Sequence, residues 1–352
     1  MEREKPQQQR HKAGAGRKML FILLGLAVCL IAFLVALYPM VSVTAGRSAD
    51  IRIPAGATAE NVRDSLDRYL GPEFARNVMR LARLRHTDFS RRHGSYAVTE
   101  GMNVLEATRR LTSGAQTPVR ITINGFRSLP LLIERISAKM EFPADSLRTA
   151  LADPALMAEY GLSTEQALSL FVDDSYEAYW TLSARDLVRK IGENYRRLWD
   201  TDRTRAAASL GLTPADVMTI ASITDEETNS RGEKGTIGRL YINRLHHGMK
   251  LQADPTVRFA VGDFTIRRVS RADLRTPSPY NTYLNAGLPP GPIRTTSAET
   301  VTAILESKPN NYLYMCASED FSGTHNFAST YEEHLQNARR YQAELDRRGI
   351  KR

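Results

Sequence analysis

Three consecutive acids, Asp225, Glu226 and Glu227, close an otherwise apolar stretch, residues 213–229, which reads TPADVMTIASITDEETN. A carboxyl group drawn away from water loses hydration, and its pKa rises toward the range where it can give and take protons near neutral pH. The stretch reads as a helix. Thr213 suits the N-cap and Pro214 the first helical position. At roughly 100° per residue, Val217, Met218, Ile220, Ala221 and Ile223 fill one arc. On that wheel Glu226 points away from the arc, toward solvent. Glu227 falls below Ile223 and Ile220 at the edge of the buried face, and Asp225 falls at the other edge, below Met218 and Ala221. Negative charge at a helix C-terminus is also disfavoured by the macrodipole, which pushes the pKa the same way. Glu227 and Asp225, at the two edges of the buried face, are therefore the acids the wheel leaves as candidates for proton transfer. The plain alternative is a polar helix end closing in water, since exposed acids are common.

Other chemistries find no footing. The sequence has no G-x-S-x-G elbow, no P-loop, no H-E-x-x-H and no dinucleotide fingerprint. Its two cysteines are Cys29, inside an apolar run, and Cys316, so there is neither a disulfide framework nor a Cys/His zinc constellation. His246, His247, His325 and His334 lack metal-ligand spacing. No metal and no cofactor are expected, and carboxylate chemistry is what remains for an enzyme.

The elements that must position Glu227 follow from the rest of the chain. Hydrophobic content of 42% and charged content of 25% are those of a globular protein. The net charge of +9 is concentrated in part in the basic tail, residues 1–18, and is otherwise spread in pairs such as Arg91–Arg92 and Arg267–Arg268. Without a basic cluster along one element, no nucleic-acid partner is expected; anionic lipid or an anionic wall polymer suits such a surface. Residues 19–38 carry no charge, and twenty apolar residues in a helix span roughly 30 Å, a bilayer's hydrocarbon. Arg17 and Lys18 precede the run, so the positive-inside rule leaves the tail in the cytoplasm and places everything after about residue 40 outside. A cleaved signal peptide is the alternative, since Val43-Thr44-Ala45 is similar to a cleavage site. Residues 50–116 read as strand, two helices, strand and helix. Beyond them come a strand at 119–123, a helix at 128–139, a turn-like aromatic segment at 171–180 and a long polar helix at 184–210. A helix at 235–246 follows, with Ile237, Leu240, Tyr241 and Leu245 inward, then a turn at Asp254-Pro255. The loop 277–292, PSPYNTYLNAGLPPGP, is stiffened by proline and carries Tyr280, Asn281, Thr282 and Tyr283. A helix at 296–307, a strand at 312–316 and a terminal amphipathic helix complete an α+β chain.

The segment ASITDEET at 221–228 resembles the active-site segment of the endolytic murein transglycosylases, the YceG-like family. The resemblance continues through YINRL at 241–245, LQADPT at 251–256, SPYNTY at 278–283, GLPPGPI at 287–293 and the late His325-Asn326-Phe327. These motifs run in order over about 110 residues. The family's catalytic glutamate falls on Glu227. Its other Glu, two positions earlier, is Asp225 here, and a proline it often shows in the aromatic segment is Asp173. The basic cytoplasmic tail at 1–18 and the transmembrane helix at 19–40 fit the resemblance, which implies in addition a LysM-like glycan-binding module at 45–118 and a transglycosylase domain at 119–352.

What it implies about function is a lytic transglycosylase of the plasma membrane's outer, periplasmic face. The enzyme would cut nascent peptidoglycan strands between N-acetylmuramic acid and N-acetylglucosamine, leave 1,6-anhydro ends, terminate strand growth and work beside peptidoglycan synthases. Asn243, Tyr280, Asn281, Thr282, Tyr283 and His325 would contact or position substrate, and Asp254 would set a turn. Two other readings stay open. A hydrolytic muramidase needs a second carboxylate, Asp225 or Asp254. A non-catalytic wall-binding scaffold for synthases needs no acid at all.

Overall fold

The structure, a computed structural model, describes residues 9–266 and 268–349, leaving side chains aside at 9–16, 33, 36, 37 and 39. The start of the basic tail, residues 1–8, and Arg267 thus lie outside the described residues. The chain divides into two compact units, Met1–Pro118 and Val119–Arg352.

In the first unit, helix α1 (Gln9–Ser42) is followed by β1 (Ala49–Ile53), α2 (Ala59–Leu70), α3 (Pro72–Leu84), β2 (Gly94–Val98) and α4 (Val104–Ser113). β1 and β2 pair antiparallel, with Ile51 opposite Tyr96. Alternation along β1 turns Ile51 and Ile53 inward, against Val62 and Leu66 of α2, Phe74 and Val78 of α3, and Val104 and Leu111 of α4. Thr58 and Asn61 form a capping box on α2, and Gly114, in the left-handed region, ends α4. The described apolar side chains of α1, from Met19 onward, are exposed, whereas Met40 and Val41 at its end pack on this core. Among the described residues no single helix is long and apolar enough to cross a membrane. The side chains of α1 are described without a gap only over 17–32, about 24 Å of helix.

The second unit runs β3 (Val119–Ile123), α5 (Leu129–Ser137), α6 (Ala144–Leu151), α7 (Pro154–Ala158), β4 (Asp174–Ala178), α8 (Ala184–Leu198) and α9 (Thr201–Ser209). Then come α10 (Pro214–Glu227), α11 (Arg231–His246), α12 (Asp254–Val261), α13 (Ala298–Leu305), β5 (Tyr314–Ala317), β6 (His325–Ala328) and α14 (Tyr331–Arg347). The aromatic segment expected as a turn contains β4, paired antiparallel with β3 so that Tyr176 faces Ile121. The long polar helix is two helices, because Asp200 caps the backbone of Arg203 and starts α9 afresh. The expected Asp254-Pro255 turn is instead the start of α12, with Pro255 in its first turn, where a missing N–H costs nothing.

α10 is the centre of this unit. Thr213 caps it through a reciprocal box with Asp216. Every side chain from Val217 to Thr224 is buried, so the helix has no solvent face, contrary to the one-sided arc read from sequence. Its polar residues allow this because they satisfy themselves. Thr219 donates to the Ala215 carbonyl at 2.9 Å, Ser222 to Thr219 at 2.7 Å and Thr224 to Ile220 at 2.9 Å. α11 and α13 pack closely beside it. Gly235 and Gly238 of α11 let α13 come close to it, since an added Cβ would stand 2.5 Å from the Ala303 carbonyl oxygen and 2.4 Å from Ile304 Cγ1, respectively.

The contact at Gly235 is with backbone, which cannot swing aside. Gly235→Ala should therefore destabilise the second unit by about 1–3 kcal/mol, although alanine is the better helix former. Urea unfolding followed by circular dichroism checks this, and an unchanged or raised midpoint would contradict the close-packing account.

Candidate active site

The three acids that end α10 meet three different fates. Asp225 turns toward α11 and α13, where Lys234 Nζ lies 2.7 Å from Oδ1 and the Thr300 hydroxyl donates to Oδ1 at 2.7 Å. The Thr296 hydroxyl donates to its other oxygen. Glu226 is buried, its side chain only 6% exposed, between Arg127 at 2.7 Å and Arg294 at 2.9 Å. The expectation that it faces solvent is thus corrected: with no solvent face on α10, the side opposite the arc is also interior. Arg294 also donates to the Asp225 carbonyl, which places a cation at the negative end of the helix dipole. Gly125, at φ +63°, leaves room for that guanidinium, since an added Cβ would stand 2.2 Å from Nη2.

Among the described residues Glu227 has no such cation in contact. Its Oε1 accepts the Tyr241 hydroxyl at 2.8 Å, and its surface is only partly covered although protein surrounds it closely. Burial pushes this carboxyl above the ordinary carboxylate value, and the charge of Asp254 pushes the same way. The Tyr241 hydrogen bond and the charges of His325 and Arg258 pull back without reversing it. Tyr241 is itself buried. Burial first, then the charge of Glu227 and the hydrogen bond to it, hold the phenol well above its ordinary value, so it stays a donor.

Of the loop tetrad 280–283, one side chain reaches this acid cluster. The Tyr283 hydroxyl donates to Asp254 Oδ1 at 2.6 Å. Asn281 is fully buried and braces the loop, donating to the carbonyls of Leu274 and Thr276 and accepting the Tyr283 N–H. Thr282 is the clasp to α12: its hydroxyl oxygen accepts the Ala253 N–H at 3.0 Å and lies 2.8 Å from the Thr256 hydroxyl. Tyr280 stacks obliquely on Phe259, ring centroids 4.6 Å apart. Between Leu251 and Ala253, both buried, Gln252 is held at φ +49°, a conformation that costs a residue with a side chain roughly 1–2 kcal/mol. His325, at the start of β6, sits 3.2 Å from Glu233 through Nδ1 and donates its backbone N–H to the same carboxylate at 2.6 Å. Asn243 is turned elsewhere, its amide spent on the carbonyls of Asn310 and Tyr312 and on Asn310 Oδ1.

The structure thus brings Glu227, Asp254, Tyr283 and His325 into one electrostatic neighbourhood, and leaves Asn243, Tyr280, Asn281 and Thr282 as braces. Sequence reasoning missed Tyr241, which it had counted as core. Its hydroxyl lies one helix over from Glu227, and nothing in a single helix's periodicity encodes that. It also missed Arg294 and Glu233; a buried acid's need for a cation or a donor is the one signal that asks for such partners.

Comparison with known proteins came out consistently. The model of the YceG-like family matches residues 51–340. A protein of Bacillus subtilis (strain 168) named endolytic murein transglycosylase is 26% identical over 267 residues, 70% of this chain and 72% of that protein. One of Streptococcus pneumoniae serotype 2, with the same name, is 29% identical over 133 residues, 37% of this chain but only 24% of that longer protein. The crystal structure of a yceG-like protein from Listeria monocytogenes shares the fold, with a TM-score of 0.56 at 22% identity over 82% of this chain and 98% of that one.

Replacing Glu226 by Gln leaves Arg294 and Arg127 without their carboxylate. Arg127 is 44% exposed and can turn to water, whereas Arg294 is 17% exposed and cannot. The loss should be about 3 kcal/mol, the low end for a broken buried pair. Chemical denaturation of Glu226→Gln beside wild type measures it, and a change within about 0.5 kcal/mol, as for a plain surface position, would return Glu226 to solvent.

Proposed function

This chain belongs to the YceG-like family, and on that premise we propose that it is an endolytic peptidoglycan lytic transglycosylase with Glu227 as its acid and base. Protonated Glu227 gives its proton to the oxygen linking N-acetylmuramic acid to the next N-acetylglucosamine, and that bond breaks. The carboxylate so formed takes the proton of the C6 hydroxyl of the same muramic acid. The C6 oxygen closes on the anomeric carbon, giving a 1,6-anhydro end and restoring the acid. Because the nucleophile belongs to the substrate, its effective concentration is high and no activated water is required. Positioned proton transfer of this kind is typically worth about 10²–10⁴ in rate.

One observation carries the reading: of three adjacent carboxyls, only Glu227 is free of a contacting cation and held by a single neutral donor. Tyr241 occupies one oxygen of Glu227, which leaves the other for the glycosidic oxygen. Asp225, with Lys234 and two threonine hydroxyls upon it, has its charge compensated and is a poor base for water. Asp254 favours the hydrolytic alternative, since it lies near enough for Glu227 to feel its charge.

The finer reading concerns place and partners. A membrane anchor at 19–40, with the tail cytoplasmic and the rest on the periplasmic side, is supported by the uncharged run and the basic residues before it. Tyr283 and His325 contact the glycan, Asn243, Tyr280, Asn281 and Thr282 position the loops that do, and unit 45–118 acts as a LysM-like glycan binder. Strand termination beside synthases then follows from cutting nascent strands where they emerge.

Mass spectrometry of uncross-linked glycan strands treated with the full chain should find anhydromuramyl ends from wild type and none from Glu227→Gln. Reducing muramyl ends would turn the reading to a hydrolase using Asp254, and activity surviving in Glu227→Gln would remove Glu227 from the chemistry. The alkaline limb of the pH–rate profile reports loss of the Glu227 proton. Tyr241→Phe removes a bond that favours the carboxylate, so the limb should move to higher pH. Asp254→Asn removes a charge that favours the acid, so the limb should move to lower pH. Shifts of the same sign in both variants would contradict this assignment of the limb.

A further inference from the structure

We propose that the groove between α2 and α3 is a binding site for the phosphate headgroups of an anionic membrane. The groove, of about 330 Å³, is lined by Arg63, Arg76, Arg80 and Arg83. Arg76, Arg80 and Arg83 follow one another at i, i+4 and i+7 and so share one face of α3. All four arginines are exposed, and none makes an ion pair or a side-chain hydrogen bond among the described residues. Asp67 is the one carboxylate of the lining; Glu60, Asp64 and Glu73 lie on the same helices but not in the groove. Elsewhere on the surface Arg91, Arg148, Arg185, Arg189 and Arg203 each meet an acid. Four planar guanidinium groups gathered against a single carboxylate match phosphate oxygens in geometry as well as charge.

The way α1 joins this unit selects the source of the phosphate. Met40 and Val41 of α1 pack on the unit's core. Directly after α1, the Val43 carbonyl accepts the Val104 N–H at 3.0 Å, and the Ala45 N–H donates to Met102 at 2.9 Å. No slack linker separates the apolar helix from the unit, so whatever lipid covers the exposed side chains of α1 holds this unit at its surface. The phosphates of that surface are the nearest polyanion. The inference rests on the membrane anchor proposed above.

The test uses the full chain reconstituted in nanodiscs, either zwitterionic or rich in phosphatidylglycerol, with hydrogen exchange read over residues 60–84. Protection should be greater on the anionic discs, weaken with added salt, and disappear in the variant carrying Arg63→Gln, Arg76→Gln, Arg80→Gln and Arg83→Gln. Each arginine removed should weaken the contact about fivefold. The circular dichroism spectrum and urea midpoint of the same variant should match wild type, which shows that it is folded. Equal protection on both discs, or protection unchanged in the variant, overturns the proposal. Equal protection by inorganic polyphosphate in detergent would assign the groove to a soluble polyanion and overturn the lipid assignment. A chain that fails to stay with either disc would instead remove the anchor, a result distinct from loss of the charge dependence.

Discussion

Three negative charges at the buried C-terminal end of a helix are an electrostatic problem before they are an active site. The macrodipole and the low polarity both disfavour negative charge there. Two of the three are resolved by cations delivered from distant sequence: Lys234 to Asp225, and Arg127 and Arg294 to Glu226. Much of the second unit is arranged to make those deliveries. β3 leads to Gly125 and Arg127, the loop before α13 brings Arg294, and α11 brings both Lys234 and Tyr241. The Ile293 N–H, given to the Ser222 hydroxyl inside α10 at 3.0 Å, fixes the register of that loop against the helix.

The loop 276–297 illustrates how polar residues can be essential to a site without touching what binds there. Asn281 and Thr282 are wholly interior, yet their hydrogen bonds decide where Tyr283 stands and where α12 begins. Because Tyr283 then holds Asp254, the clasp also sets the position of the charge that most strongly raises Glu227 after burial itself. The strained Gln252 belongs to the same clasp, its N–H reaching the Thr282 carbonyl at 3.2 Å.

Much of this was legible in the sequence, for reasons that can be named. Thr213-Pro214 marked the start of α10, and the two strands of the first unit were read near 51–53 and 94–98, where β1 and β2 lie. The wheel failed at Glu226 because it treats Thr219, Ser222 and Thr224 as polar, whereas each returns its hydroxyl to its own helix and can be buried without cost in unpaired groups. Tyr241 and Arg294 were invisible as site residues because their roles exist only between elements, and periodicity describes one element at a time. β4 was masked by its aromatic and acidic composition, and its strand state comes from pairing with β3, a tertiary override of a weak local preference.

The distribution of cations separates structural from chemical carboxylates in this cluster. A guanidinium placed on Glu227 would lower its pKa and leave a permanent carboxylate, which can accept a proton but has none to give. A site with no donor at all would hold the group protonated, and the base half of the cycle would fail. The arrangement found lies between these limits. Among the described residues the contacting cations are committed to Asp225 or Glu226, while Glu227 receives one neutral hydroxyl from a phenol that burial keeps protonated. Such a donor stabilises the carboxylate enough to form during bond cleavage, and not enough to discharge the acid beforehand. The same neutralisation keeps Asp225 and Glu226 from adding two further repulsive charges beside it. The cost of burying an acid triplet is thereby confined to the single residue whose raised pKa the chemistry uses.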